Sequence, residues 1–219
     1  MNRTKQTAFA AVLILAATAH AQTSRGTVTA PVVVNAAGAW AAQVAKFAGV
    51  DLPVEPLRRM LVPSEPFDDF PHSSPMVIDM LNGFHFRPEG RGFLLAWNDP
   101  EETSSYNTDF EPAFIEKILT LAANRVPAFE NLAVNPKRAW AGLYEMTPDQ
   151  MGIISRVPGV AGLHVLAGFS GHGFMHGPIA GQLMAELIAD GRAHTVDIAP
   201  LDIERFKRAE VSVEVMTFV

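Results

Sequence analysis

The chain has 219 residues, is 48% hydrophobic and 18% charged, and carries a formal charge of −6. That apolar content, with Phe 14 and Trp 3, supports a sizeable core and excludes global disorder. The negative balance, relieved only by "RRM" at 58–60 and "RFKR" at 205–208, argues against nucleic acid as a partner, and the absence of cysteine excludes disulfides, thiolate catalysis and cysteine-bound metals.

In chain order, residues 1–21 read as a candidate signal peptide. Arg3 and Lys5 precede an apolar run from Ala8 to Ala19, and "AHA" at 19–21 fits a small-x-small cleavage site. The run is shorter than the roughly 20 residues of a stable membrane span, and no twin-arginine pair is present. If cleaved, this leader implies a periplasmic or secreted protein. Residues 32–34, "VVV", are expected as a buried strand entering a glycine turn. A helix follows, expected to carry Trp40, Val44 and Phe47 on one face and to stop at Gly49. Residues 51–75, rich in proline and acid, read as loop. "MVIDM", "GFHFRP" and "GFLLAW" read as three strands, the last two joined through "EGRG" in a hairpin. The stretch 109–124 predicts a helix capped by Asp109, with Phe114, Ile118 and Leu121 on one stripe. "RAWAGLYEM" and "GLHVLA" are further strands, and 178–190 a helix closed by Gly191. The class is α+β, a strand–helix unit at each end of an antiparallel middle.

The densest motif is "GFSGHGFMHGP" at 168–178, between a strand and a helix. Its G-x-G-x-x-x-G spacing lacks the second parallel strand and acidic residue of a dinucleotide fingerprint. Two readings stay open: a tight turn, or a flat ligand lying against the unpaired N–H groups of a helix start. His172 and His176, four apart, lack a third ligand at matching spacing, so no metal is expected.

Three stretches carry a family resemblance. "RAWAGLYEMTPDQMGIISRVPGVAGLHVLAGFSGHGFMHGPIAGQLMAELI", "VVVNAAGAWAAQVAKFAGVDLPVEPLRRM" and "GFHFRPEGRGFLLAW" resemble, in family order, the FAD-dependent amine oxidoreductases. That group includes D-amino-acid oxidase, sarcosine oxidase and dehydrogenase, dimethylglycine dehydrogenase and glycine oxidase. The resemblance covers residues 26–208. It implies a flavoenzyme that oxidises a C–N bond of a small amino acid or N-methyl amino acid, sarcosine-like, by hydride transfer to flavin and hydrolysis of the imine. It places Gly168, Ser170, Gly171, His172, Gly173 and Phe174 at the flavin ring, with Met146 nearby. Ala37, Gly38 and Trp40 are assigned to the dinucleotide half, and Met175, His85, Arg87 and Tyr144 to the substrate. It further implies a cytoplasmic location. The expected division is 22–50 partial FAD-binding segment, 51–141 substrate-domain-like, 142–210 C-terminal FAD-binding segment and 211–219 tail.

The sequence also departs from that family. It shows no N-terminal Rossmann βαβ with its glycine fingerprint, so the expected architecture is a truncated FAD-binding fold that holds FAD weakly alone. Tyr144 stands where glycine and D-amino-acid oxidases often present arginine. Leu94 and Met175 stand where monomeric sarcosine oxidases place lysines, which favours a dehydrogenase over an oxygen-using oxidase. No cysteine lies near Gly142, so FAD is expected to be non-covalent. Arg87 is the candidate carboxylate anchor, or an ordinary surface arginine. A second reading is a non-catalytic remnant, a subunit completed by another polypeptide that supplies the N-terminal FAD-binding half, or an exported binding protein.

Overall fold

A computed structural model describes residues 11–15 and 18–207. The rest of the candidate leader, residues 208–210 and the whole of the 211–219 tail lie outside the described residues. In chain order the strands are β1 Ala11–Leu15, β2 Thr18–Thr23, β3 Gly26–Ala30, β4 Val33–Asn35, β5 Glu55–Pro63, β6 Val77–Ile78, β7 His85–Glu89, β8 Gly92–Trp97, β9 Trp140–Met146, β10 Ile153–Arg156 and β11 Leu163–Ala167. The helices are α1 Ala41–Lys46, α2 Phe114–Arg125 and α3 Gly173–Ala189. The class is mixed α/β, and the chain divides into two compact units, Met1–Glu55 with Glu145–Val213, and Pro56–Tyr144 with Glu214–Val219.

The first unit is built on the sheet β10-β11-β4. β4 and β11 run parallel, pairing Leu163 with Val33 and Val165 with Asn35, and each feeds a helix. Alternation along the strands covers both faces. Ile153, Leu163, Val165 and Ala167 pack with Ala41 and Ala45 of α1; Ile154 packs with Ala180, Leu183, Met184 and Leu187 of α3. Gly162 opens the parallel ladder, its carbonyl accepting from Val33 N at 2.8 Å. At φ +78° a Cβ there would stand 2.3 Å from the Pro31 carbonyl oxygen, so only glycine fits. β1, β2 and β3 form a separate antiparallel meander in this unit, so part of the candidate leader is strand.

The second unit is built on one sheet, β6-β7-β8-β5-β9, antiparallel from β6 through β5, with α2 on one face. Registers Phe86↔Leu95, Val62↔Leu95 and Met60↔Trp97 put one set of side chains under α2, where Phe114 and Ile118 are buried. Phe129 is the hub of an aromatic cluster, with ring centroids 5.0 Å from Phe86, 5.3 Å from Phe70 and 5.7 Å from Phe67, all edge-on.

Four expectations are corrected. Residues 51–75 hold the nine-residue strand β5, because pairing on both edges overrides its flanking prolines. α1 buries Ala41 and Ala45, while Trp40 and Phe47 are exposed, because small residues let the helix approach its sheet. α2 begins at Phe114 after Ala113, so Asp109 does not cap it. α3 begins at Gly173, five residues before Pro178, which sits inside the helix. Gly191 does close it, at φ +82°.

Beyond α3, the Glu186 carboxylate organises the following loop. It accepts from His194 N at 2.6 Å, from Thr195 N at 3.0 Å and from the Thr195 hydroxyl. Those bonds, the Thr195 hydroxyl first, hold its pKa down at about 2. A folded-state pKa below the unfolded one means the contribution is complete above the ordinary carboxylate range and lost as pH falls through about 2. The Thr195 and His194 amide resonances are therefore expected to stay native-like at pH 4 and to shift together on approaching pH 2. In Glu186→Gln they should be displaced already at neutral pH.

Candidate functional site

The glycine-rich turn is organised by Ser170. This residue is buried, with a left-handed backbone (φ +51°) that non-glycine residues rarely adopt. Hydrogen bonds over-determine it. Ser170 N donates to the Glu145 carbonyl at 3.1 Å, its hydroxyl oxygen accepts from Thr147 N at 3.2 Å, and the hydroxyl lies 3.2 Å from the Gly168 carbonyl. Thr147 Oγ1 donates to the Met151 carbonyl at 2.9 Å. The end of β9, through Met146, and the β11–α3 turn are thus one hydrogen-bonded knot. Gly168 belongs to it, since at φ +81° a Cβ there would lie 2.5 Å from Thr147 Cγ2.

Asp149 braces the same segment. Arg205 grips it with Nε at 2.6 Å and Nη2 at 3.1 Å, and Nη2 also reaches the Met151 carbonyl. Burial alone would raise the Asp149 pKa; the bonds from Arg205 overcome it and hold the carboxyl below its usual range.

Beside the knot lies Glu145, which the sequence reading did not single out. Its Oε1 accepts from Phe169 N at 3.2 Å, whereas Oε2 is buried without a hydrogen-bond partner. A Cβ on Gly38 would lie 3.4 Å from Oε2, and one on Gly173 3.8 Å from Oε1. The carboxylate therefore sits where the β4–α1 turn, the end of β9 and the first residue of α3 converge. Asn35 sets the first of these. Buried at the end of β4, it donates from Nδ2 to the Ala41 carbonyl at 2.8 Å and accepts from Ala37 N at 3.3 Å.

Among the cofactor candidates, Gly38 and Gly173 flank the Glu145 carboxylate, Gly168 and Ser170 belong to the knot, and Met146 follows Glu145 at the end of β9. His172 precedes α3, and Gly171, φ +97°, precedes His172. Gly173 is an ordinary helical residue without positive φ, so its role is closeness to Glu145 and Phe169. Phe174 is 99% exposed and Met175 67%, leaving the first turn of α3 apolar and uncovered. Its first N–H groups lack intrahelical partners, as at any helix start. His172 and His176 stack at 5.9 Å, and no group of three or more metal-ligating side chains occurs among the described residues.

The substrate candidates of the second unit share one face. Registers His85↔Ala96↔Leu61 and Arg87↔Leu94↔Pro63 put these residues on the face opposite α2, and Arg59 lies over the Tyr144 ring on that face, 5.5 Å from its centroid. Met175 belongs to the other unit. Arg87 is half exposed and already paired with Glu89 at 2.7 Å. His85 loses basicity chiefly through burial, and its Nδ1 lies 3.1 Å from the Gly83 carbonyl. A neutral imidazole in that contact must donate from Nδ1, which leaves Nε2 as an acceptor.

With this geometry in hand, the comparisons are specific. The family model of FAD dependent oxidoreductases (DAO) matches residues 2–187. The chain is 39% identical to FAD-dependent oxidoreductase domain-containing protein 1 of Xenopus laevis, covering 83% of this chain and 39% of that protein. It is 30% identical to glycine oxidase of Pseudomonas aeruginosa, covering 81% of this chain and 47% of that protein. The solved L-proline dehydrogenase from P. horikoshii superposes with a TM-score of 0.81 at 30% identity, covering 91% of this chain and 53% of that one. The chain thus spans about half the length of these relatives, or less.

The knot makes a direct prediction. Gly168→Ala drives a methyl into buried Thr147 at a left-handed φ and is expected to destabilise the fold by about 2–3 kcal/mol in urea unfolding. Ser170→Ala removes a buried acceptor and should cost about 1–2 kcal/mol.

Proposed function

The chain belongs to the family of FAD dependent oxidoreductases, and on that premise we propose that it serves the oxidation of a C–N bond in a small amino acid or N-methyl amino acid of sarcosine-like size, with FAD held non-covalently. The observation that carries the reading is Glu145 Oε2, a buried acceptor without a donor, set among Gly38, Phe169 and Gly173. Leaving such an atom unpaired is costly. FAD fits this deficiency, because it brings hydroxyl and imide N–H donors. It also fits the uncovered apolar turn of α3, whose free N–H groups and partial positive charge favour a ring that gains electrons.

Bound flavin would supply a two-electron acceptor for the hydride of the carbon beside the amine nitrogen. The chain's own residues hold and orient. Ser170, Thr147 and Gly168 fix the turn, and the Asp149–Arg205 pair stiffens the segment entering it. Phe174 and Met175 offer apolar surface that excludes water. His85 Nε2, an acceptor on the open face of the second unit's sheet, suits an amine N–H. The substrate class is supported by relatives named for glycine and for L-proline, the latter a secondary amine like an N-methyl amino acid. Leu94, buried and apolar, and Met175 bring no cation to assist oxygen, which favours a dehydrogenase.

With FAD in excess, sarcosine or L-proline is expected to drive reduction of an artificial electron acceptor faster than hydrogen peroxide is released. No donor-dependent reduction would remove the proposal. Glu145→Leu should weaken FAD binding about tenfold, read by flavin fluorescence, the scale of one charge-assisted hydrogen bond, with circular dichroism confirming an intact fold.

A further inference from the structure

Among the described residues, Arg59 is the one strand cation of the second unit without an ion pair to a carboxylate. Its neighbour Arg58 is paired with Glu102 at 3.0 Å and donates to the Asp109 carbonyl at 2.7 Å. Lys117 holds both Asp99 and Glu101. Arg87 has Glu89, Arg125 has Asp79 and Arg138 has Glu65. Arg59 makes no ion pair among the described residues. Its Nη1 donates to the Arg58 carbonyl at 3.3 Å, and its Nε is buried with no acceptor.

Alternation along β5 explains the difference. Met60 and Val62 point under α2, and Arg58 shares their side, where the acids of residues 99–102 lie. Arg59 projects to the opposite face with Leu61. There the Tyr144 ring lies against the guanidinium, and Leu61, Leu94 and Ala96 form an apolar floor, with His85 one row further along. Burial pulls the Arg59 pKa down, against attraction from Tyr144, Glu102 and Asp99. Guanidinium remains charged at neutral pH regardless. A desolvated cation with unused donors, backed by an aromatic ring, is a fork shaped for a carboxylate.

We infer that Arg59, with Tyr144 behind it, binds the carboxylate of the substrate, and that Arg87 does not. This inference rests on the amino-acid reading above and assigns the part of the substrate that the flavin does not touch. It also gives Tyr144 a role of its own. Where an arginine is expected from related oxidases, the tyrosine orients a cation carried by the adjacent strand. Arg59 on β5 and Tyr144 on β9 are adjacent in the sheet, so the fork is set on regular backbone rather than on a loop.

The test needs no flavin. Pyrrole-2-carboxylate is titrated into the full chain, and the Arg59 Nε–H resonance is followed by NMR, with pyrrole-2-carboxamide as the neutral isostere. Saturable binding of the carboxylate alone is expected, with the Nε–H signal shifting. Affinity should be unchanged in Arg87→Gln, about tenfold weaker in Arg59→Gln, and partly restored in Arg59→Lys, which keeps the charge and loses the fork. Thermal unfolding checks that the Arg59 variants fold, and the lysine variant carries the comparison if the glutamine variant does not. The inference is overturned if the wild-type chain does not bind the carboxylate, if the carboxamide binds equally, if the Arg59 variants bind like wild type, or if Arg87→Gln alone abolishes binding. Failure of donor-dependent acceptor reduction would instead strike the redox reading and leave a carboxylate site standing.

Discussion

A single buried serine in a strained conformation anchors the first unit. Ser170 keeps its left-handed backbone because its amide and its hydroxyl are held by Gly168 beside it and by Glu145 and Thr147 at the end of β9, distant in sequence. The arrangement fixes where β11 ends, where α3 begins and how the end of β9 lies against both. It also places the Glu145 side chain, since Glu145 gives its carbonyl to Ser170 while its carboxylate takes Phe169 N. Strain of this kind persists only where the surroundings over-determine it, and such positions gather at functional sites.

Several charges in the protein are closed within it. Asp149 and Arg205, Arg58 and Glu102, and Lys117 with its two acids all satisfy one another. Two do not. In the first unit Glu145 keeps an acceptor without a donor; in the second Arg59 keeps donors without an acceptor. The deficits are opposite in sign. Under the proposed function, the hydroxyl and imide N–H groups of a flavin would answer the first and the carboxylate of an amino acid the second.

Elements with strong local signals were legible in the sequence. The β7–β8 hairpin is announced by "EGRG" between two apolar runs, and α2 by the spacing of Phe114 and Ile118. β5 was hidden, because Pro56 and Pro63 mark its ends as loop and only its neighbours β8 and β9 make "LRRMLV" a strand. The buried face of α1 was misjudged because large aromatic residues suggest a core, whereas close approach to the sheet demands alanines. The glycine turn was visible as a tight junction between strand and helix. Glu145 and Arg59 were not, since each looks like an ordinary polar residue in an amphipathic strand. Their distinction lies in partners that are missing, and a missing partner is a property of three-dimensional packing. Burial of an uncompensated charge leaves no trace in spacing.

Pro178 has a consequence for how the start of α3 behaves. It stands inside the helix, lacks an N–H and cannot bond the Phe174 carbonyl one turn before it. The segment from Gly173 to Gly177 is therefore joined to the remaining helix by one bond fewer, and its side chains make little burial of their own. Such a turn opens locally at low free-energy cost, long before the sheet beneath it unfolds. Its order is rented rather than owned: a molecule that settles against it must spend part of its binding energy in stilling it.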